Sequence, residues 1–175
     1  MKRYSFKVLL LGAPTVGKTS IFYRYVKNQF INDYITTIGI NYLTKEITLE
    51  AKKIAKLQIL DIGGQKKFKF LHKKFYNGAN GALVIFDLTQ RKTYGAIESW
   101  ISEMFEILQE NIPFIIIGNK LDLLKELPRS IDKDIVRNYT EKKDCIYLET
   151  SAKTGENLEE VFKELAQLMI KRASK

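Results

Sequence analysis

GAPTVGKTS, residues 12–20, lies between the apolar run Tyr4–Leu11 and a stretch with helical periodicity over Lys18–Lys27. It fits G-x-x-x-x-G-K-[ST], and in a strand–loop–helix setting that pattern has a mechanism. Gly12 and Gly17 let the backbone curl round a phosphate, which the N–H groups at the helix start then bind. Lys18 supplies a point charge to the β- and γ-phosphates, and the Thr19 hydroxyl suits Mg²⁺. The candidate phosphate-binding segment is thus Gly12, Ala13, Pro14, Thr15, Val16, Gly17, Lys18, Thr19 and Ser20. Pro14 has no N–H and fixes φ near −65°. The phosphate donors must therefore come from residues 15–19.

Outward from this loop, the chain of 175 residues is expected to form a single domain over 1–175. One cysteine, Cys145, excludes an intramolecular disulfide framework and suits a reducing compartment. No apolar run approaches the roughly 20 residues of a membrane span. The start, MKRYSFKVLLLG, leads straight into the glycine loop, so it reads as a first strand and not as a signal peptide. Net charge is +9, from 29 Lys and Arg against 20 Asp and Glu. With no nucleic-acid fold signature in view, this excess reads as a lysine-rich solvated surface, and no nucleic-acid partner is expected.

Two strand-like stretches follow the first helix, Ile40–Leu49 and Ile54–Asp61, joined by the polar turn Glu50–Lys53. GALVIFDL (81–88), PFIIIGN (113–119) and CIYLET (145–150) are apolar on both alternations, as in strands of a parallel sheet covered on both faces. Ile97, Trp100, Ile101, Met104 and Leu108 form one helical stripe; Leu158, Val161, Phe162, Leu165 and Met169 form another, with Asn157 as its expected N-cap. A further helix is expected over Ile131–Lys142. The alternation predicts a doubly wound α/β domain, with ligands beyond the carboxyl ends of the strands.

Three more motifs stand at those ends. In DIGGQ (61–65), Asp61 can hold a metal through water and the Gly64 N–H can meet a γ-phosphate. In NKLD (119–122), the two carboxylate oxygens of Asp122 match the N1–H and exocyclic amine of guanine, and adenine offers no such donor pair. In ETSAK (149–153), the Ala152 N–H can meet a purine O6. Asn119, Lys120, Ser151 and Lys153 complete the candidate base site.

Four motifs in this order resemble the Ras superfamily of small GTPases over essentially the whole chain. TTIGINY (36–42) and FYNGANGALVIFDLT (75–89) are most similar to the Rab branch. The resemblance implies a three-layer P-loop NTPase G domain: a six-stranded, mostly parallel sheet with one antiparallel edge strand and helices on both faces. It implies a GTP/GDP switch with Mg²⁺ as cofactor, in membrane trafficking or a related regulatory process. Thr37 is then the switch threonine that reaches Mg²⁺ and the γ-phosphate, so that Thr19, Thr37 and Asp61 form the metal set. Phe30 lies against the base, Tyr34 closes over the phosphates, and Lys120 stacks its stem on the base. Gln65 orients the attacking water, so that Gln65, Lys18 and Thr37 carry catalysis. Exchange factors, GTPase-activating proteins and effectors are expected on residues 30–45 and 61–78.

The chain departs from the Rab pattern at Gly63, where a Gly-Gly-Gln is more similar to the Arf branch. The aromatic trio that Rab effectors read corresponds here to Tyr42, Leu60 and Phe75, without its Trp. The cysteine-bearing tail of the Rab pattern is missing after RASK; a cytoplasmic protein is expected, peripheral on a membrane only through such a tail or the basic surface. His72 reads as a solvated surface residue, Cys145 as core or strand edge, and Trp100 as packing. KKFKFLHKKFY (66–76) reads as the second switch helix, with an exposed face for partners. No Arg precedes Thr37 closely enough to serve as a built-in finger. Two rivals remain open: a GTP/GDP-binding module with negligible hydrolysis, and an adenine-using P-loop enzyme.

Overall fold

Strands that are apolar on both alternations cannot leave either face to water, and here neither face is left. The computed structural model describes residues 2–31, 39–50, 52–63 and 69–174. In chain order its elements are β1 (Lys2–Leu11), α1 (Lys18–Lys27), β2 (Ile40–Leu49), β3 (Lys53–Ile62), α2 (Lys69–Tyr76), β4 (Gly81–Asp87), α3 (Arg91–Gly95), α4 (Ile97–Leu108), β5 (Phe114–Asn119), a 3₁₀ turn (Leu121–Lys125), α5 (Lys133–Lys142), β6 (Ile146–Glu149) and α6 (Leu158–Ala173). Among the described residues six strands form one sheet in the order β2-β3-β1-β4-β5-β6. Only the β2–β3 pair is antiparallel, which places the expected antiparallel strand at the edge.

Alternation sorts the core into two layers. Val8, Leu10, Leu57, Ile59, Leu83, Ile85, Ile115 and Ile117 face α1 and α6. Leu9, Leu11, Leu60, Ala82, Val84, Phe86 and Ile116 face the opposite layer, with Tyr76 of α2, Ile97, Ile101 and Met104 of α4 and Val136 of α5. Every residue of β4 and β5 is buried. Burial of this kind stabilises by about 25 cal/mol per Å² of apolar area, so the central strands form the rigid part of the molecule.

Most strand boundaries fall within two residues of the expected ones. α5 begins at Lys133 and not at Ile131, because the Asp132 carboxylate accepts a hydrogen bond from the Asp134 N–H at 2.9 Å and so caps the helix there. Asn157 stands at the start of α6 but does not cap it. Its φ is 62°, its side chain makes no cap bond, and Nδ2 donates to the Glu149 carbonyl at 2.7 Å. Glu159 and Glu160 in the first turn instead complement the helix dipole. The short helix α3 and the 3₁₀ turn carry no apolar period long enough to be foreseen.

His72 is the largest departure. It is not solvated but 2% exposed, with Nδ1 2.5 Å from Glu103 Oε1 on α4. Its ring stacks on Tyr76, centroids 5.1 Å apart, and lies 5.6 Å from Trp100. His72 and Tyr76 are i and i+4 on one side of α2 and turn inward together, while Lys73 and Lys74 between them face solvent. Trp100 packs as expected. Cys145, just before β6, is half-buried, and burial pushes its thiol up to about 11.

Candidate nucleotide site

The phosphate loop closes because two positions cannot bear a side chain. Gly12 has φ +145°, and a Cβ there would overlap the Ile85 carbonyl oxygen. Gly17 has φ +100°, and its Cβ would overlap the side-chain nitrogen of Asn119. Lys18 folds back across the loop, its Nζ donating to the carbonyls of Gly12 at 2.9 Å and Ala13 at 2.8 Å. The peptide that ends in Pro14 thus turns its carbonyl toward Lys18, and the exposed pyrrolidine lies outside that bond. Burial pushes the Lys18 ammonium down to about 8 against the opposing pull of Asp61. An anion in the loop would raise it again. Thr15 adopts φ +68°, uncommon for a β-branched residue, in the turn that leads into α1.

The Thr19 hydroxyl donates to Asp61 Oδ2 at 2.5 Å, and Asn41 Nδ2 lies 3.3 Å from the same oxygen. This joins the end of β3 to the start of α1. Among the described residues no group of three or more His, Cys, Asp or Glu is placed to hold a metal. Among the described residues a cation here would meet the Thr19 hydroxyl and the Asp61 carboxylate. Such an all-oxygen set suits Mg²⁺.

Beside the loop lies a half-open cleft of about 280 Å³, lined by Gly17, Ser20, Phe30, Asn119, Lys120 and Asp122, with Leu123, Ala152 and Lys153. The strands bring NKLD and ETSAK to it from β5 and β6, and the Leu121 N–H donates to the Thr150 carbonyl at 2.9 Å to join the two loops. Asn119 is 1% exposed and has its whole amide engaged. Nδ2 donates to the Val16 carbonyl at 2.9 Å, while Oδ1 accepts from Thr150 Oγ1 at 3.1 Å and the Ala152 N–H at 3.3 Å. Asn119 therefore pins three loops together, and the Ala152 N–H expected to meet a purine O6 is here turned to Asn119. Asp122 Oδ1 accepts from Ser151 Oγ at 2.6 Å, which orients the carboxylate in the cleft wall. Lys120, at φ 68°, anchors its Nζ on Asp87 Oδ2 at 2.7 Å.

Asp87 was missed in the sequence. It ends the fully buried strand β4, is 1% exposed, and its other oxygen accepts from the N–H of Thr89 at 2.8 Å and its hydroxyl at 2.7 Å. An acid closing an otherwise apolar run was the available signal. Leu123, on the 3₁₀ turn, was also missed and carried no signal. Tyr34, Thr37, Gly64 and Gln65 lie outside the described residues. Of the partner-facing trio, Tyr42 is 55% exposed but Leu60 only 5%, so the position of the absent Trp is core. Phe70 on α2 is 75% exposed. No described helix is long and apolar enough to cross a membrane.

Comparison with known proteins agrees with this arrangement. The Ras family profile matches residues 7–171. The chain is 37% identical over 172 residues to Ras-related protein Rab-21 of Canis lupus familiaris, covering 98% of this chain and 76% of that protein. The Homo sapiens protein of the same name gives 37% over 172 residues, 98% and 75%. Ras-related protein RabJ of Dictyostelium discoideum is 38% identical over 164 residues, 94% of this chain and 63% of that protein. With its phosphate loop, its base cleft and this likeness across nearly its whole length, the chain belongs to the Ras family of small GTPases, and within it is Rab-like.

Proposed function

We propose that this protein is a guanine-nucleotide switch that binds GTP and GDP with Mg²⁺ and hydrolyses GTP slowly, in membrane traffic or a related regulatory process. The observation that carries this reading is the cleft with the Asp122 carboxylate in its wall, directly beside the Lys18 loop. Guanine presents two adjacent donors to such a carboxylate and adenine does not, so the adenine-using rival loses its base contact. Ser151 holds one carboxylate oxygen in place; Lys120, tethered to Asp87, and Phe30 offer the faces between which a flat base fits.

Thr19 and Thr37 would hold Mg²⁺ directly and Asp61 through water; an ion held there would supply positive charge to neutralise the phosphates. Lys18 binds the same phosphates. Gln65 orients the attacking water, and the Gly64 N–H and Tyr34 close over the γ-phosphate. Without a built-in arginine, hydrolysis runs at about the 10⁻⁴ to 10⁻³ s⁻¹ of unassisted proteins of this type. Displacement of fluorescent GDP tests base choice. GTP and GDP should compete, and ATP should fail at about hundredfold excess, a discrimination of about 2.7 kcal/mol. Equal competition by ATP would refute the reading. Single-turnover hydrolysis of GTP separates the switch from a module that only binds.

A further inference from the structure

Arg24 takes no part in the site as described, yet it touches the cleft from behind at several points. It sits on α1, the helix that starts at the phosphate loop. Its Nε donates to the Ala152 carbonyl at 2.9 Å and Nη2 donates to the carbonyl of Lys153. Nη1 lies 3.4 Å from Asn28 Oδ1 beyond the end of the helix, and the guanidinium carbon is 5.9 Å from the centroid of the Phe30 ring. Phe30, Ala152 and Lys153 all line the base cleft, and Arg24 does not. Two successive carbonyls are met by one planar fork, a geometry that an ammonium cannot reproduce.

We infer that Arg24 is a positioning residue: it holds the loop after β6 and the Phe30 wall together, and so sets how fast guanine nucleotide leaves. The inference rests on the guanine-nucleotide reading above. A base can leave only when the walls around it part. The charge-assisted hydrogen bonds that resist this opening are worth about twice ordinary ones. The Arg24 guanidinium also faces the Phe30 ring, so moving that wall disturbs a cation–π contact as well.

The test is release of fluorescent GDP, chased with excess unlabelled GDP, from the parent protein and from Arg24→Ala, Arg24→Lys, Phe30→Ala and the Arg24→Ala/Phe30→Ala double variant. Arg24→Ala should release about tenfold faster or more, the scale expected for losing hydrogen bonds to a charged group. Arg24→Lys should recover less than half of that effect on a logarithmic scale. The double variant should fall short of the product of the two single effects by about threefold or more, because both act on one wall. Release from Arg24→Ala within about threefold of the parent would overturn the inference. So would full rescue by lysine, or a double variant that is simply multiplicative, as independent structural damage would be. If Arg24→Ala does not fold, Arg24→Lys, which keeps stem and charge, decides the matter alone. A parent that binds no fluorescent GDP would instead bring down the guanine-nucleotide reading itself.

Discussion

On the proposed reading Asp122 would concentrate base selection in one side chain, which Ser151 Oγ holds by a hydrogen bond of 2.6 Å. Asp122→Asn turns an acceptor into a donor facing guanine's own donors, at a cost of about 1–3 kcal/mol for each group left unpaired. GTP affinity should fall by about tenfold or more, and xanthosine triphosphate should gain relative to it; titration with fluorescent analogues reads both. Pro14 was the residue at which the phosphate loop looked abnormal. The Ala13 carbonyl before it accepts from Lys18 and its own ring is exposed, so the loop needs no N–H from it. Pro14→Gly should therefore change the unassisted single-turnover rate by less than about tenfold, and Gln65→Leu should lower it more. A rise above about tenfold in Pro14→Gly would make the proline a brake and favour the barely hydrolysing switch. At this scale the motifs were legible as candidates because their residue types suit phosphate and guanine, and the structure gathers Gly17, Asn119, Lys120 and Asp122 round one cleft. Asp87 and Arg24 were not, since each acts across a distance that only the sheet order creates, 33 residues from Lys120 in one case and 128 from Ala152 in the other.

α2 shows why element positions read better than element faces. Its place after DIGGQ was foreseen, but its inward side was not, because lysines flank the His72–Tyr76 pair and hide an i, i+4 spacing that includes a polar ring. That ring joins α2 to Glu103 on α4. His72→Ala removes buried stacking and the bond to Glu103, and should destabilise the GDP-bound protein by about 2–3 kcal/mol in urea unfolding. A loss below about 0.5 kcal/mol would return His72 to the surface role. The carboxyl end of β6 carries a second tie. Arg129 donates to both oxygens of Glu149, at 2.6 and 3.0 Å, and the Tyr147 hydroxyl adds a bond at 2.6 Å. Burial alone would raise the Glu149 carboxyl, but these bonds and the charges of Arg129 and Lys133 outweigh it and hold the group below its usual range. Lowered in the folded state, it contributes stability above its ordinary value of 4.5, lost as pH falls through the depressed value. Arg129→Ala leaves burial unopposed by that partner, so the variant should unfold at a higher pH than the parent in an acid titration followed by Trp100 fluorescence. An unchanged acid midpoint would mean that the pair holds nothing.

For the whole molecule the order of strands was the legible part: runs apolar on both alternations require a covered parallel sheet, and a first strand followed by a phosphate loop requires the doubly wound kind. What residues 2–31, 39–50, 52–63 and 69–174 supply beyond that is the register that brings Asn119 under Val16 and Ala152, and Lys120 onto Asp87. The central strands are buried throughout; on the proposed reading the residues around Thr37 and Gln65, with α2 after them, would answer to the nucleotide. Hydrogen exchange on the protein loaded with GDP, and then with a non-hydrolysable GTP analogue and Mg²⁺, tests this most directly. The account predicts added protection over residues 30–40 and 61–76 with the triphosphate and none over β4 and β5. Equal protection of those loops with both nucleotides would contradict it.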